Sequence, residues 1–147
     1  MICGIDANVL IYSAIESMPE HKPVLSFFER RVLTGELTCA VSFLALLEFI
    51  HITTDAKRFR NPLDIEESIT IAEQYWQATN WHRLLPQFTT GARAFGLLRE
   101  HKIGRKRLLD TYLAANLLEN GITSLITCDT DDFKIFRDLT LINPIKE

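Results

Sequence analysis

Ile2-Cys3-Gly4-Ile5-Asp6-Ala7-Asn8-Val9-Leu10-Ile11-Tyr12 reads as a short buried strand that runs straight into a helix. The strand is expected over Ile2–Asp6 and the helix from Asn8 to about Ile15. Asp6 stands where the strand stops. In open α/β sheets ligands gather outside the carboxyl ends of the strands, so a carboxylate fixed there is a candidate site residue. The same position suits a helix cap, for which Asp is favoured. Taken alone the stretch favours the cap; three carboxylates further along shift the balance.

Outward from that stretch, strand and helix patterns alternate to the end of the chain. Pro19 closes the first segment, and a helix is predicted near Lys22–Leu33, carrying Val24, Leu25, Phe27, Phe28 and Val32 and closed by Gly35. Leu37–Val41 reads as a second strand. Ser42 caps a helix to about Thr54 whose stripe is Leu44, Ala45, Glu48 and Ile52. Asp55–Asn61 is a basic loop ended by Pro62, and Asp64–Ala78 a helix with Ile65, Ile69, Ala72 and Trp76 on one side. Trp81–Leu85 reads as a short strand stopped by Pro86, with Trp76 and Trp81 assigned to core packing rather than to a partner surface. Helices are predicted over Phe88–Glu100 and, after Gly104-Arg105-Lys106-Arg107, over Leu108–Glu119, which Asn120-Gly121 ends. Ser124–Thr127 is a fourth strand, followed by a short helical turn and a last strand at Leu139–Ile142. Alternation of this kind predicts an α/β fold with a mainly parallel sheet of four to five strands. Right-handed crossovers then put the strand carboxyl ends on one edge.

The 147 residues suit a single domain, 1–147. A chain of this length buries roughly 68–70% of its unfolded surface, enough for a core without staples. A net charge of −3 means that any nucleic-acid contact must come from a local basic patch, not from the overall field. Cys3, Cys39 and Cys128 are too few and too widely spaced for a disulfide framework or a zinc knuckle, and the four histidines show no ligand spacing. Asp6 interrupts the N-terminal apolar run, no basic region precedes it, and no apolar run approaches the ~18 residues of a membrane span. A cytoplasmic location is the expectation.

Four acids stand where chemistry is possible. Asp6 and Asp129 follow predicted strands; Glu48 and Asp110 lie on predicted helices. Each has an ordinary reading. Glu48 at the edge of an apolar stripe can snorkel or pair with a cation, Asp110 can complement a helix N-terminus, and Asp129 can serve a turn. Were the four to converge, like charges ~4 Å apart would repel by roughly 4 kcal/mol per pair at an effective dielectric of 20. Protonation or a cation relieves that. Mg²⁺ or Mn²⁺ suits oxygen ligands, whereas zinc fits poorly without Cys or His ligands. One or two such ions activate water and neutralise a scissile phosphate. Arg99, Lys102, Arg105, Lys106 and Arg107 before Asp110, and Lys57, Arg58 and Arg60 after the Glu48 helix, are placed to hold a phosphate backbone or simply to form solvated loops.

These residues resemble the motifs of PIN-domain nucleases. Asp6-Ala7-Asn8-Val9-Leu10-Ile11-Tyr12 is similar to the family's opening motif, and Glu48 in Ser42-Phe43-Leu44-Ala45-Leu46-Leu47-Glu48 to its second acid. Leu109-Asp110-Thr111-Tyr112-Leu113-Ala114-Ala115 is similar to the third motif and Thr127-Cys128-Asp129-Thr130-Asp131-Asp132-Phe133 to the closing one. The match runs in order along essentially the whole chain. It implies a three-layer α/β/α fold and Mg²⁺- or Mn²⁺-dependent endoribonuclease activity. Among small members it implies a VapC-type toxin that forms a homodimer and is held inactive by an antitoxin. Carried over, Asp6, Glu48, Asp110 and Asp129 are the catalytic metal ligands, directly or through water, with Thr127, Asn8 and Asp132 in support. Arg105, Lys106, Arg107 and Arg58 are the RNA-binding candidates. Many relatives carry Asn at the position of Asp129. The 55–81 segment is longer than small members need.

Three other readings compete. A catalytically silent PIN-like module that binds RNA or protein would be favoured by loss of a key acid, and all four are present. A haloacid-dehalogenase-like phosphatase needs a second Asp two residues after the first, where Asn8 stands. A phosphate-receiver domain needs a late-strand Lys that is not evident. DNA as substrate would use the same metal chemistry.

Overall fold

The computed structural model describes residues 1–147. Five strands, β1 (Ile2–Ile5), β2 (Thr38–Ser42), β3 (His82–Leu84), β4 (Ser124–Ile126) and β5 (Thr140–Ile142), form one sheet in the order β3-β2-β1-β4-β5. Every pairing is parallel. The helices are α1 (Ala7–Ala14), α2 (His21–Phe27), α3 (Phe43–Thr53), α4 (Ile65–Gln77), α5 (Thr90–His101), α6 (Leu108–Glu119) and α7 (Thr130–Phe133).

Parallel strands need helical crossovers, and the crossovers cover both faces of the sheet. The central strands β1, β2 and β4 are largely apolar on both sides as a result. Cys3, Ile5, Cys39, Val41 and Ile126 face one core, packed with residues of α1 to α4. Ala40, Leu84 and Leu125 face the other, packed with α5, α6 and α7. The layers are α/β/α. At Gly4 the sheet comes so close to α6 that an added Cβ would lie 2.5 Å from Leu117 Cδ2. That approach, with fully buried Ala114 and Ala115, sets the height of α6 over the sheet.

Strand order places the site. The chain builds β1, β2 and β3 outward in one direction, then returns to lay β4 on the free side of β1. The order therefore reverses between β1 and β4. Ligands of open α/β sheets bind in the crevice at such a reversal, outside the carboxyl ends. Asp6 continues β1, its N–H donating to the Ile126 carbonyl at 3.0 Å. Thr127 continues β4, its N–H donating to the Ile142 carbonyl at 3.0 Å.

Some expected boundaries move for physical reasons. The predicted helix Lys22–Leu33 is α2 prolonged by a π-helical stretch, Phe28–Val32, in which the Leu33 N–H reaches back to the Phe28 carbonyl at 2.8 Å. The predicted helix Phe88–Glu100 starts at Thr90; Thr90 Oγ1 accepts the Gln87 N–H at 2.9 Å, closing a turn that leaves Phe88 wholly exposed. On α3 the buried face is Ala45, Leu46, Phe49 and Thr53, not the predicted stripe of Leu44, Ala45, Glu48 and Ile52. Glu48 thus sits on the shoulder of the helix, half-buried. Trp76 and Trp81 do pack against the core, with Tyr75 stacked on Trp81 at 5.6 Å. The 55–81 segment supplies α4, which lies against α3 and is tied to it by a buried Thr53–Ser68 hydroxyl contact of 2.8 Å. No helix is long and apolar enough to cross a membrane.

Candidate active site

Asp6 is the end of β1 and the N-cap of α1 at once, its Oδ1 accepting the Ala7 N–H at 2.8 Å. The cap and site readings of this residue are therefore compatible. The other oxygen, Oδ2, accepts from the Thr127 hydroxyl at 2.7 Å and from Asn8 Nδ2 at 2.9 Å. Asn8 Nδ2 also donates to Asp129 Oδ2 at 3.0 Å, and Asn8 Oδ1 accepts the Cys128 N–H at 3.3 Å. Both ends of this amide are assigned, since its NH₂ group faces two carboxylates and its oxygen faces a backbone donor. Thr127 Oγ1 in turn accepts the Asp129 N–H at 3.0 Å. Asn143, just past β5, donates to the Cys128 carbonyl at 3.3 Å and steadies the loop that carries Asp129.

The helix-borne acids approach from either side. Glu48 lies on α3 and Asp110 in the first turn of α6. Burial pushes the Asp6 carboxyl up to about 7, against the Thr127 hydrogen bond that lowers it; Asp110 and Glu48 push it further. Burial, then the charge of Asp110, pushes Glu48 up to about 7. Asp110 is pushed up to about 6 by burial and by Asp132, with the nearby Arg107 opposing. Asp6, Glu48 and Asp110 thus feel one another's charge, and Asp129 acts on Asp110. As placed, no three His, Cys, Asp or Glu side chains enclose a metal position. The donor set nonetheless suits a hard divalent cation: it is all oxygen, and its acids are ones whose ionisation the fold opposes. Three of the roughly four lone-pair positions on Asp6 are occupied by donors within the chain, which leaves one.

The supporting and basic candidates divide. Asp132 is held by Arg107, Nη2 to Oδ1 at 3.0 Å, and Arg107 Nη1 also donates to the Asp132 carbonyl at 3.0 Å. Arg107 is therefore not a free cation for a phosphate; it joins the start of α6 to α7 and lowers Asp110. Arg105 and Lys106 are exposed on the turn Arg105–Arg107 just before α6, with Arg105 left-handed at φ 51°. Arg58 is exposed, 3.6 Å from Asp55, and lines a cleft shared with Asn8 and Asp129. Cys128 is half-buried, and burial together with Asp129 raises its thiol to about 12, so it stays protonated and inert.

The profile of the PIN domain family matches residues 4–139, from just before the first acid to just past the last. The chain belongs to the PIN domain family. Two curated relatives come from Mycobacterium tuberculosis. Ribonuclease VapC24 is 26% identical over 142 residues, covering 97% of this chain and 96% of that one. Ribonuclease VapC33 is 28% identical over 146 residues, covering 97% of each. Among solved structures, VapBC2 from Rickettsia felis, bound to a DNA fragment from its promoter, superposes with a TM-score of 0.68 at 16% identity, covering 97% of this chain and 98% of that one.

Proposed function

We propose that this PIN-domain chain is a VapC-type toxin, a Mg²⁺- or Mn²⁺-dependent endoribonuclease that hydrolyses RNA phosphodiester bonds. The observation that carries the reading is the hydrogen-bonded set of Asp6, Thr127, Asn8 and Asp129 at the strand-order reversal, with Glu48 and Asp110 near enough for their charge to push Asp6 up. The names of the relatives point the same way. Asp6, Glu48 and Asp110 would hold the cation, with Asp129 beside them directly or through water. A divalent ion bound there supplies an activated water and neutralises charge on the scissile phosphate.

The chain's own residues do the rest. Thr127 and Asn8 fix the carboxylate of Asp6 and so its remaining lone pair. Asn8 couples Asp6 to Asp129, so the two strand-end acids keep one relative geometry. The Arg107–Asp132 pair joins the start of α6 to α7; Asp132 opposes the ionisation of Asp110, and Arg107 partly offsets that. Arg105, Lys106 and Arg58 are the exposed cations left to meet the RNA backbone.

An antitoxin and a second copy of the chain are part of the proposal. An apolar groove of about 200 Å³ between α3 and α4, lined by Phe43, Leu47, Ile50, Ile69 and Trp76, supports a protein partner. Phe43 and Leu47 stand 55% and 49% exposed there.

The test is cleavage of a mixed RNA pool by purified protein with Mg²⁺, with Mn²⁺ and with EDTA, alongside Asp6→Asn and Asp110→Asn. Metal-dependent cleavage lost in both variants, with folding intact, is the expected result. Equal cleavage by wild type and variants would contradict the site. RNA or partner binding without cleavage would replace the enzyme with a silent binding module.

A further inference from the structure

A cleft of about 360 Å³ opens beside the acid cluster. Asn8 and Asp129 line it, and the same two side chains are hydrogen-bonded to each other in the cluster. Away from them its walls are apolar: Ile11, Tyr12 and Met18 on one side, Ile52 and Phe59 on the other. Arg58 is the one cation in the lining, and its side chain is 58% exposed. Small-ligand sites have this composition, a mostly apolar enclosure of roughly 300–1,000 Å³ with a few polar groups at one end.

The wall that carries Phe59 is built rather than loose. The Asp55 carbonyl accepts both the Arg58 N–H at 3.0 Å and the Phe59 N–H at 3.1 Å, and Asp55 Oδ1 accepts the Lys57 N–H at 2.8 Å. The Phe59 ring is half-buried and packs against the main core. The turn therefore presents a half-buried aromatic side chain and an exposed guanidinium on the cleft that reaches Asp129. Single-stranded RNA is recognised by that pair of devices, with unstacked bases lying on aromatic rings and phosphates meeting arginine.

We propose that this cleft receives the nucleobase adjoining the scissile phosphate, with Phe59 as its stacking wall and Arg58 on the neighbouring phosphate. The inference rests on the nuclease reading and gives a use to the basic turn of the 55–81 segment. Continuity with the acid cluster through Asn8 and Asp129 favours a nucleotide over a peptide side chain, because a strand with one phosphate at the acids carries its next base to the cleft.

The experiment is a titration of ¹⁵N-labelled protein in EDTA with the four nucleoside 5′-monophosphates, followed by amide shifts. Shifts centred on Tyr12, Met18, Ile52 and Phe59 are expected. Phe59→Ala weakens binding about tenfold, near the low end of what one stacked base contributes, while Phe59→Tyr retains it. Arg58→Ala weakens the nucleotides but not the corresponding nucleosides. In the RNA cleavage assay Phe59→Ala flattens the base preference at one position beside the cut, whereas a purely structural role would slow all cuts alike. Shifts elsewhere, or binding indifferent to both Phe59→Ala and Arg58→Ala, overturn the cleft. The titration needs no catalysis, so the two readings fail separately. A chain that cuts RNA without cleft shifts loses the subsite, and a chain with cleft shifts that cuts no RNA loses the nuclease.

Discussion

Asp6 is tied to Thr127 at 2.7 Å and to Asn8 at 2.9 Å, and Asn8 is tied to Asp129 at 3.0 Å. Across the crevice, Glu48 and Asp110 owe their shifted acidity to burial and neighbouring charge, with no hydrogen bond among the causes. The strand-end half of the cluster is fixed by sheet ladders and a closed set of donors and acceptors. The helix half is positioned only by how α3 and α6 pack. Hydrogen bonds to an ionised carboxylate favour its charge, whereas burial opposes it. One half is therefore a finished hydrogen-bonded scaffold around Asp6; the other is two acids placed by helix packing alone, and burial raises all three above ordinary carboxylates until positive charge reaches them.

The sharpest way to break this contrast is to remove the charge that both halves converge on. Asp6→Asn should lower cleavage about a thousandfold, the several kcal/mol that charge stabilisation at a metal supplies, with the fold retained by circular dichroism. Next comes the scaffold alone. Thr127→Val keeps the β-branched shape but leaves Asp6 Oδ2 short of one donor and the Asp129 N–H without its acceptor. Loss of such a supporting contact should reduce activity or metal affinity about 10- to 100-fold and destabilise by about 1–3 kcal/mol in urea titrations. Asp129→Asn should cost less than tenfold, because an amide oxygen can still accept from Asn8 while only the charge is lost.

Stability without metal reads the three raised acids, Asp6 from the strand-end half and Glu48 and Asp110 from the helices. Asp6 and Glu48 are raised to about 7 and Asp110 to about 6, so between about pH 4 and 7 the folded chain holds protons that the unfolded chain has released. Unfolding then releases protons, and stability falls as pH rises through that window and levels off above it. Asp110→Asn should flatten the fall and raise the metal-free melting temperature at pH 8 by about 4 °C, what about 1 kcal/mol gives in a domain of this size. A profile that rises over the same window would show that the acids are stabilised, not strained, by the fold. Gly4→Ala tests the packing that carries Asp110. Its Cβ meets Leu117 at 2.5 Å, so it should cost about 1–3 kcal/mol by overpacking.

How much of this could be read from the residues varies with the kind of force involved. The bounds of α6, Leu108–Glu119, are those predicted, because local signals mark both ends: Gly104 before it and Asn120-Gly121 after it. Strands were displaced by a residue at most at each end, since their ends are set by pairing partners far off in sequence. The phase of α3 differs from the predicted stripe because Phe43-Leu44-Ala45-Leu46-Leu47 is apolar all round, so two stripes fit equally well and only the packing against the sheet chooses Ala45, Leu46 and Phe49. Phe88 was drawn into α5 by its hydrophobicity, yet the Thr90 turn turns it outward. Within the candidate site, the acids stood out as charges in apolar settings. The bridge from Asn8 to Asp129, 121 residues apart, follows from the β1–β4 adjacency, which no local pattern specifies. The pairing of Arg107 with Asp132 was likewise hidden in what looked like a uniform basic run.

The most direct test of the account is a calorimetric Mn²⁺ titration at pH 7.5 of wild type, Asp6→Asn and Asp110→Asn, with the protons released on binding measured by varying the buffer. Saturable binding in wild type accompanied by proton release, as the raised acids ionise to receive the cation, is expected, with that binding lost in both variants. Binding of equal strength in all three proteins, or binding without proton release, would contradict it.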